Sequence, residues 1–192
     1  MVLYVDAAVR SSSRTAALAL YVLKNIPREV RTLKLTELDM PVLDEAFLER
    51  RDRAVASGDF SDECFMPAKL FAQADEIVIA APFYDLSFPA ALKQFFEQIN
   101  VIGLTFAYDE EGRAYSLCRA KRLIYVTTAG GYIASQEYGF GYVKALSEYF
   151  YGIGECVCFE AEGLDIYGTD AEAVLADARA RIDRYFAGRK GE

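Results

Sequence analysis

The sequence predicts an α/β fold in which five parallel strands form one doubly wound sheet with helices on both faces. Short apolar runs alternate with longer amphipathic segments along the whole chain, which is the order that strand–helix–strand crossovers produce. Beyond its first residue, the run from Glu76 to Ala81 is apolar on both faces, as a central parallel strand requires. Because no linker or repeat interrupts this pattern, we expect a single domain over residues 1–192.

The strands are predicted from short runs rich in Val, Ile, Leu and Tyr. Val2 to Val5 is continuously apolar, whereas Val30 to Leu35 alternates as a half-buried strand does. Pro82 ends the third run, and Ala129-Gly130-Gly131 closes the fourth. The predicted strands of the sheet are 2–5, 30–35, 76–81, 122–128 and 155–161.

The helices are predicted from apolar residues that recur at helical spacing. The first follows a Ser-rich loop and has Ala16, Leu20 and Leu23 on its predicted buried face. The mixed charges of 45–57 indicate a solvated helix rather than a nucleic-acid patch. Thr105 to Ser116 predicts a hairpin with an acidic turn. The remaining helices are predicted at about 62–74, 88–99 and 142–150, and over a final stripe of Leu175, Ala178, Ile182 and Tyr185.

Composition and charge exclude several classes of protein. Hydrophobic residues make up 53% of the chain, which is too apolar for disorder, yet no apolar run approaches the roughly 20 residues of a transmembrane helix. The net charge of -8 argues against nucleic-acid binding, which needs a positive field. The first residues lack the basic segment and cleavage site of a signal peptide. We therefore expect a cytoplasmic protein without membrane association.

The chain contains no histidine, which excludes Ser-His and Cys-His catalysis and the usual zinc sites. We accordingly expect no metal and no catalytic side chain, so that a cofactor would carry any difficult chemistry. The four cysteines form no C-x-x-C motif. Cys156 and Cys158 stand two apart on a predicted strand and share a face; we interpret all four as reduced core cysteines rather than as containing a redox pair.

Three loops follow the first, third and fourth predicted strands, and folds of this kind bind ligands at the carboxyl ends of their strands. The first loop, Arg10 to Thr15, places three serines at the start of a helix. Helix N-termini and hydroxyls both bind anions, so Ser11 and Ser13 are candidates for holding a phosphate. Plain N-capping by Ser13 is the alternative. The loop lacks the G-x-x-x-x-G-K-[ST] and G-x-G-x-x-G patterns of P-loop and dinucleotide folds.

The other two loops offer an apolar wall and a close approach of backbone. Pro82 to Pro89 places aromatic and apolar groups at the end of a buried strand, which suits a planar heterocycle unless those groups fold back into the core. Phe88 is assigned to the core because it belongs to the apolar stripe of the following helix, together with Ala91, Leu92, Phe95, Phe96 and Ile99. Thr127 to Tyr132 contains paired glycines, which let backbone approach a ligand or simply make a tight turn. The three loops together predict a ligand site at one sheet edge.

Motifs along nearly the whole chain, in the same order, are those of one family. They are Ile77 to Asp85 continuing into Leu92 to Phe96, Gly103 to Phe106 with Tyr108, Thr127 to Gly131, and Glu162-Gly163 before Tyr167-Gly168. The chain thereby resembles the FMN-dependent NADH-azoreductase and NAD(P)H quinone reductase family, whose fold is flavodoxin-like.

The resemblance implies a homodimer that binds FMN at its interface. It implies that hydride passes from NADH or NADPH to flavin N5, and that two electrons then pass to a quinone, azo compound or nitroaromatic in a ping-pong cycle. Carried over by position, Tyr108 would approach the substrate pocket from the partner subunit. The implied FMN-binding residues are Ser11, Ser12 and Ser13 at the phosphate, Pro82, Phe83, Tyr84, Asp85 and Leu86 along the isoalloxazine, and Thr128, Gly130 and Gly131 at its pyrimidine side.

Asp85 departs from the family pattern, which usually has Asn at this position. A carboxylate beside a reduced, anionic flavin is unfavourable unless it is protonated or turned away. If the contact runs through the backbone, flavin binding survives the change.

Two other functions remain open from the sequence. An electron-carrier flavodoxin would bind FMN without turning over a substrate, and an acidic chain would suit docking to basic redox partners. The aromatic surface expected around Phe106 and Tyr108 argues against this alternative. A flavin-free interaction or regulatory domain on the same scaffold is the third possibility, because a fold does not fix a function.

Overall fold

A computed structural model describes residues 1–189 of the chain. Its main sheet contains five strands, all paired in parallel, in the order β2-β1-β3-β6-β7. The predicted α/β fold is confirmed, and each predicted strand of the sheet lies within one residue of its expected bounds. These strands are β1 (Val2–Asp6), β2 (Val30–Lys34), β3 (Glu76–Ala80), β6 (Arg122–Thr128) and β7 (Glu155–Ala161).

A separate hairpin pairs β4 (Phe106–Tyr108) with β5 (Ala114–Ser116) in antiparallel fashion, as predicted. A 3₁₀ turn over Glu63–Phe65 leads into the third helix, and π-helical turns over Glu137–Gly141 and Ser147–Tyr151 flank the fifth. The α-helices of residues 1–189 are α1 (Arg14–Lys24), α2 (Glu45–Ser57), α3 (Met66–Gln73), α4 (Ala90–Ile99), α5 (Tyr142–Leu146) and α6 (Ala171–Ala187).

The sheet is covered by an apolar cluster on each face. Along β1, Leu3 and Val5 point to one cluster, and Val2 and Tyr4 point to the other, because side chains alternate across a strand. The first cluster includes residues of α2, α3, α4 and α5, and the second includes residues of α1 and α6. The predicted placement of helices on both faces is therefore confirmed. The ends of the strands are not covered by these helices, and the connecting loops lie there.

The buried face of α1 differs from the predicted one. Leu20 is 52% exposed, so the face formed by Ala16, Leu20 and Leu23 is wrong. Nearly every residue of this helix is apolar, so several faces satisfy the helical period, and packing against the sheet selects a neighbouring one. In α6 the predicted stripe is right except at its end, where Phe186 is more deeply buried than Tyr185. The residues of α1 that are buried are Thr15, Leu18, Ala19 and Val22.

Three further properties concern the part of the chain that the structure describes. No helix there is both long enough and apolar enough to cross a membrane. The same residues bring together no group of three side chains suited to holding a metal ion. The four cysteines all lie in this part, and each is a partly buried free thiol.

Candidate functional site

Loops at the carboxyl edge of the sheet enclose a cleft of about 360 Å³. The cleft lies at the ends of the neighbouring strands β1 and β3. The strand order reverses here, since β2 lies on one side of β1 and the later strands lie on the other, and folds of this kind usually bind ligands at such a switch point. Seven of the predicted site residues are among those that line it. The lining residues are Arg10, Ser12, Ser13, Arg14, Thr15, Pro82, Phe83, Tyr84, Thr128, Gly130 and Asp165.

The N-terminus of α1 forms the end of the cleft that suits an anion. Ser13 is the N-cap, and its Oγ accepts a hydrogen bond of 3.2 Å from the N–H of Ala16. Capping is therefore realised, and because it uses the oxygen as acceptor, the hydroxyl hydrogen is left for another partner. The other N–H groups of the first helical turn have no intrahelical acceptor. Ser12 and the guanidinium of Arg10 add donors beside them.

Thr128 ties the three loops together beneath the cleft. Its buried Oγ1 lies 2.6 Å from Oγ1 of Thr15, which joins the end of β6 to the first turn of α1. Its carbonyl oxygen accepts a hydrogen bond of 3.0 Å from the N–H of Phe83, which joins β6 to the loop after β3. The side chain of Thr128 is thus committed to Thr15, and its first role is to hold the floor of the site.

The loop after β3 turns back on itself at Asp85 and Leu86. Tyr84 and Ser87 exchange backbone hydrogen bonds of 3.0 and 2.8 Å across this turn. Asp85 and Leu86 both have positive φ, 50° and 68°, which is the type I′ conformation. Their N–H groups have no acceptor among residues 1–189. The Ser87 hydroxyl donates a hydrogen bond of 2.6 Å to the carbonyl of Tyr138 and so fastens the turn to the π-helical turn before α5.

The glycine loop after β6 has its peptide planes fixed by the segment 163–165. The carbonyls of Ala129, Gly130 and Gly131 accept hydrogen bonds of 2.8–3.2 Å from the N–H groups of that segment. Since the N–H of a trans peptide points opposite to the preceding carbonyl, the N–H groups of Gly130 and Gly131 point away from 163–165. Neither has an acceptor in the described part of the chain. The loop thus presents two backbone donors to a ligand.

Asp165 and Arg14 line the cleft although neither is among the predicted site residues. One guanidinium nitrogen of Arg14 lies 2.9 and 3.0 Å from the two carboxylate oxygens of Asp165, and the other lies 3.3 Å from the carbonyl of Leu164. A Cβ on Gly130 would overlap Oδ2 of Asp165 and lie 3.1 Å from its Cγ. Arg14 was detectable only as a basic residue at a helix start. Nothing in the sequence pointed to Asp165.

Four predicted flavin residues and Tyr108 lie outside this cleft. Ser11 lines a neighbouring groove between α1 and α6. Asp85 and Leu86 occupy the exposed tip of their turn. Gly131 has open space where its Cβ would stand, so backbone can be approached there. Tyr108 lies on the β4–β5 hairpin and is 45% exposed, consistent with a surface role rather than a place inside this cleft.

The electrostatics of the cleft favour an anion despite the acidic chain. Arg10, Arg14 and Asp165 are its charged residues, and Asp165 is paired with Arg14, so the charge of Arg10 is left over. Below this edge, burial raises the pKa of Tyr125 above its ordinary value, which keeps the phenol protonated and makes it a poor acid near neutral pH. The lining residues thus suit the binding of an anionic ligand, and a bound group would have to supply redox chemistry.

Comparisons with known proteins agree with this architecture. The profile of the family described as Flavodoxin-like fold matches residues 1–186. The chain is 31% identical over 194 residues to an FMN-dependent NADH:quinone oxidoreductase of Coprothermobacter proteolyticus, covering 95% of this chain and 96% of that protein. It is 42% identical over 110 residues to FMN-dependent NADH:quinone oxidoreductase 2 of Clostridium acetobutylicum, and this alignment spans 55% of the chain and about half, 54%, of that relative.

A solved structure shares the fold. The crystal structure of an azoreductase from Bacillus anthracis superposes with a TM-score of 0.82 at 22% identity, covering 96% of this chain and 97% of the other. The fold and the cleft at its sheet edge define a flavodoxin-like protein. Because the match to the Coprothermobacter protein covers nearly both chains, this chain belongs to the family of FMN-dependent NADH:quinone oxidoreductases. The predicted class, an FMN-dependent oxidoreductase, is confirmed at the level of the family.

Proposed function

We propose that this protein binds FMN and transfers electrons from NADH or NADPH to quinones, azo compounds or nitroaromatics in a ping-pong cycle. The observation that carries the proposal is the cleft at the sheet edge, where unpaired backbone donors of three loops surround an aromatic wall. Backbone donors at a polar rim and an apolar wall are what a planar, phosphorylated heterocycle needs. When bound, FMN supplies the redox chemistry by accepting two electrons from the nicotinamide and delivering them to the acceptor.

The residues of the chain would bind and orient the cofactor. The start of α1, with Ser11, Ser12 and Ser13, would hold the phosphate through N–H groups and hydroxyls. Pro82, Phe83 and Tyr84 would form the wall of the isoalloxazine, and the free N–H groups of Asp85 and Leu86 would reach its edge. The loop of Thr128, Gly130 and Gly131 would face the pyrimidine side with its backbone donors.

We further propose that the protein acts as a cytoplasmic homodimer in which Tyr108 reaches the substrate pocket of the partner subunit. Exposed aromatic side chains on the hairpin and near α5 support an interface on that side, because contiguous apolar surface on a protein usually marks a contact site. The four free thiols are typical of a reducing compartment.

The first test is the visible absorption spectrum of the freshly purified protein, recorded under anaerobic conditions before and after NADH is added. We expect a flavin spectrum that NADH bleaches and that a simple quinone restores. Initial rates measured at several concentrations of both substrates should give parallel double-reciprocal lines, because the donor product leaves before the acceptor binds. A protein that remains colourless after FMN is added would contradict the proposal.

One observation favours a second candidate, an electron carrier without substrate turnover. The net charge of -8 would suit docking to a basic redox protein. The same spectrum separates the two functions, since a carrier would keep its flavin spectrum unchanged on addition of NADH.

A further inference from the structure

We propose that Arg14 and Asp165 form a latch that holds the backbone donors of Gly130 and Gly131 in place for the flavin. The latch deepens the proposed function and depends on it. Arg14 and Asp165 are positioning residues in this proposal, because they act on the cofactor through the glycine loop.

The glycine loop takes its orientation from the segment 163–165. All three carbonyls of Ala129, Gly130 and Gly131 are bound by N–H groups of that segment. The segment therefore decides which way the peptide planes of the loop face, and so where its N–H donors point. Donors aimed at the pyrimidine side of a flavin stabilise the negative charge that the reduced ring carries there.

The segment 163–165 is in turn held by Arg14. Within the described chain, its link to the phosphate-binding loop is the side chain of Arg14, which binds the carboxylate of Asp165 and the carbonyl of Leu164. Arg14 is the first residue of α1, so the same side chain connects the two ends of the cofactor cleft. One guanidinium nitrogen of Arg14 is shared between the two oxygens of Asp165 while the other binds the carbonyl of Leu164, so both nitrogens hold the segment even though the two side chains are 38% and 66% exposed.

The latch also accounts for the glycine at position 130. Gly130 does not have a positive φ, so its backbone conformation does not require glycine. A Cβ at position 130 would overlap the carboxylate of Asp165 where Arg14 holds it, so any larger residue at 130 must displace that carboxylate. The missing side chain at position 130 thus leaves the space in which Arg14 holds the carboxylate of Asp165.

The experiment measures binding of FMN and of riboflavin, which lacks the phosphate, by quenching of flavin fluorescence in the flavin-free protein. We expect Asp165→Ala and Arg14→Gln each to weaken riboflavin binding about fivefold, the size of a well-oriented exposed ion pair, and to shift the midpoint potential of the bound flavin to more negative values. The reversed pair, Arg14→Asp with Asp165→Arg, should recover only part of the riboflavin binding, because an aspartate at position 14 cannot donate to the carbonyl of Leu164.

Asp177→Ala is the matched control. Asp177 pairs with Arg181 on α6 at a similar exposure, 66% and 42%, so its removal should leave both affinities and the potential unchanged. If the variants bound FMN more weakly but riboflavin normally, Arg14 would contact the phosphate directly, and this result would overturn the latch. So would variants that bind riboflavin with the affinity and potential of the unmodified protein.

Gly130→Ala provides a second, independent measurement. We expect it to weaken riboflavin binding in the unmodified chain by displacing Asp165, and to have a smaller effect when Asp165 is already Ala, so that the two changes are not additive. Strict additivity overturns the latch. An unmodified chain that binds neither flavin overturns the proposed function and the latch together, whereas normal flavin binding with unaffected variants overturns the latch alone.

Discussion

Leu86 occupies a backbone conformation that leucine rarely adopts. Its φ of 68° places it in the left-handed region, which costs a residue with a Cβ roughly 1–2 kcal/mol. Type I′ turns are normally built from Asn-Gly or Asp-Gly, so Asp85 suits its position and Leu86 does not. Strain of this kind gathers at functional sites, where the surrounding structure enforces it. Here the turn is enforced by the Tyr84–Ser87 pairing, and its result is a pair of N–H groups at the exposed tip that have no acceptor among residues 1–189.

We therefore predict that Leu86→Gly stabilises the flavin-free protein by about 0.5 kcal/mol. Removing the left-handed strain gains roughly 1–2 kcal/mol, and the extra entropy of glycine in the unfolded chain takes back about half of that gain. Because Leu86 is 55% exposed, little buried surface is lost. Urea unfolding followed by circular dichroism measures the change.

Leu20→Gly is the control for this prediction. Leu20 has a similar exposure, 52%, but lies inside α1, where glycine should cost about 1 kcal/mol. The two variants should thus change the free energy of unfolding in opposite directions. A Leu86→Gly protein destabilised as much as Leu20→Gly would mean that the turn carries no strain.

At the level of single residues, the sequence predicts which loops form the site more accurately than it predicts the contacts that individual side chains make there. The serines, the aromatic wall and the glycines were recognisable because helix starts and strand ends have typical compositions. The close contact between Gly130 and the carboxylate of Asp165 was not recognisable. Asp165 is far from Gly130 in the sequence, and only the tertiary structure brings the carboxylate against it.

Among the secondary-structure elements, strands were predicted more accurately than helix faces. A buried parallel strand such as β3 is apolar on both sides, so its assignment does not depend on the choice of a face. The face of α4 was also clear, since Leu92, Phe95, Phe96 and Ile99 are fully buried and charged residues mark the other side. In α1 polar residues are too few to mark a face, and the prediction was wrong. The π-helical turns around α5 have no sequence signature.

Strand β7 carries two of the four cysteines and supports the interpretation of unreactive thiols. Burial raises the pKa of Cys158 to about 12, and it does the same for Cys118 on the segment after β5. Burial also raises the pKa of Cys64 to about 11 and shifts that of Cys156 upward. Thiolate is the reactive form, so at pH 8 a thiol of pKa 12 is ionised in only about one molecule in ten thousand.

We predict that Cys118 and Cys158 react with 5,5′-dithiobis(2-nitrobenzoic acid) at least about 100-fold more slowly at pH 8 in the native protein than in guanidinium chloride. In the denaturant all four cysteines should react rapidly. Rapid loss of two native thiols, or formation of a Cys156–Cys158 disulfide on mild oxidation, would instead support a redox pair on β7.

For the whole molecule, the position of the site could be predicted from the topology of the sheet, but the full set of segments that line it could not. A parallel sheet brings the loops after its strands to one edge, so the alternation of strands and helices is enough to place three separate segments of the chain together. The segment after β7 closes the cleft through hydrogen bonds to the loop after the neighbouring strand β6, and no local pattern indicates them. A chain of aromatic contacts on the outside is likewise assembled only by the fold.

That chain of contacts runs from the hairpin to the π-helical turn after α5. Tyr108 packs on Phe106, Phe106 on Phe150 and Phe150 on Tyr149, with ring centroids 5.6, 4.5 and 4.8 Å apart. Its two ends are on the surface, where Tyr108 is 45% and Tyr149 is 62% exposed. Aromatic side chains held rigidly by their neighbours lose little entropy on association, which suits them to a stable interface.

We predict that the protein sediments as a dimer of twice 21.4 kDa and that Tyr149→Glu shifts it toward the monomer at micromolar concentration. A carboxylate introduced into an apolar contact must be desolvated on association, and it would face its symmetry-related counterpart or other apolar groups without a partner charge. Leu20→Glu is the control, because Leu20 is similarly exposed on α1, away from the aromatic run. Analytical ultracentrifugation with and without FMN distinguishes the outcomes. A monomeric unmodified protein, or equal behaviour of the two variants, would place the interface elsewhere and remove Tyr108 from the partner's pocket.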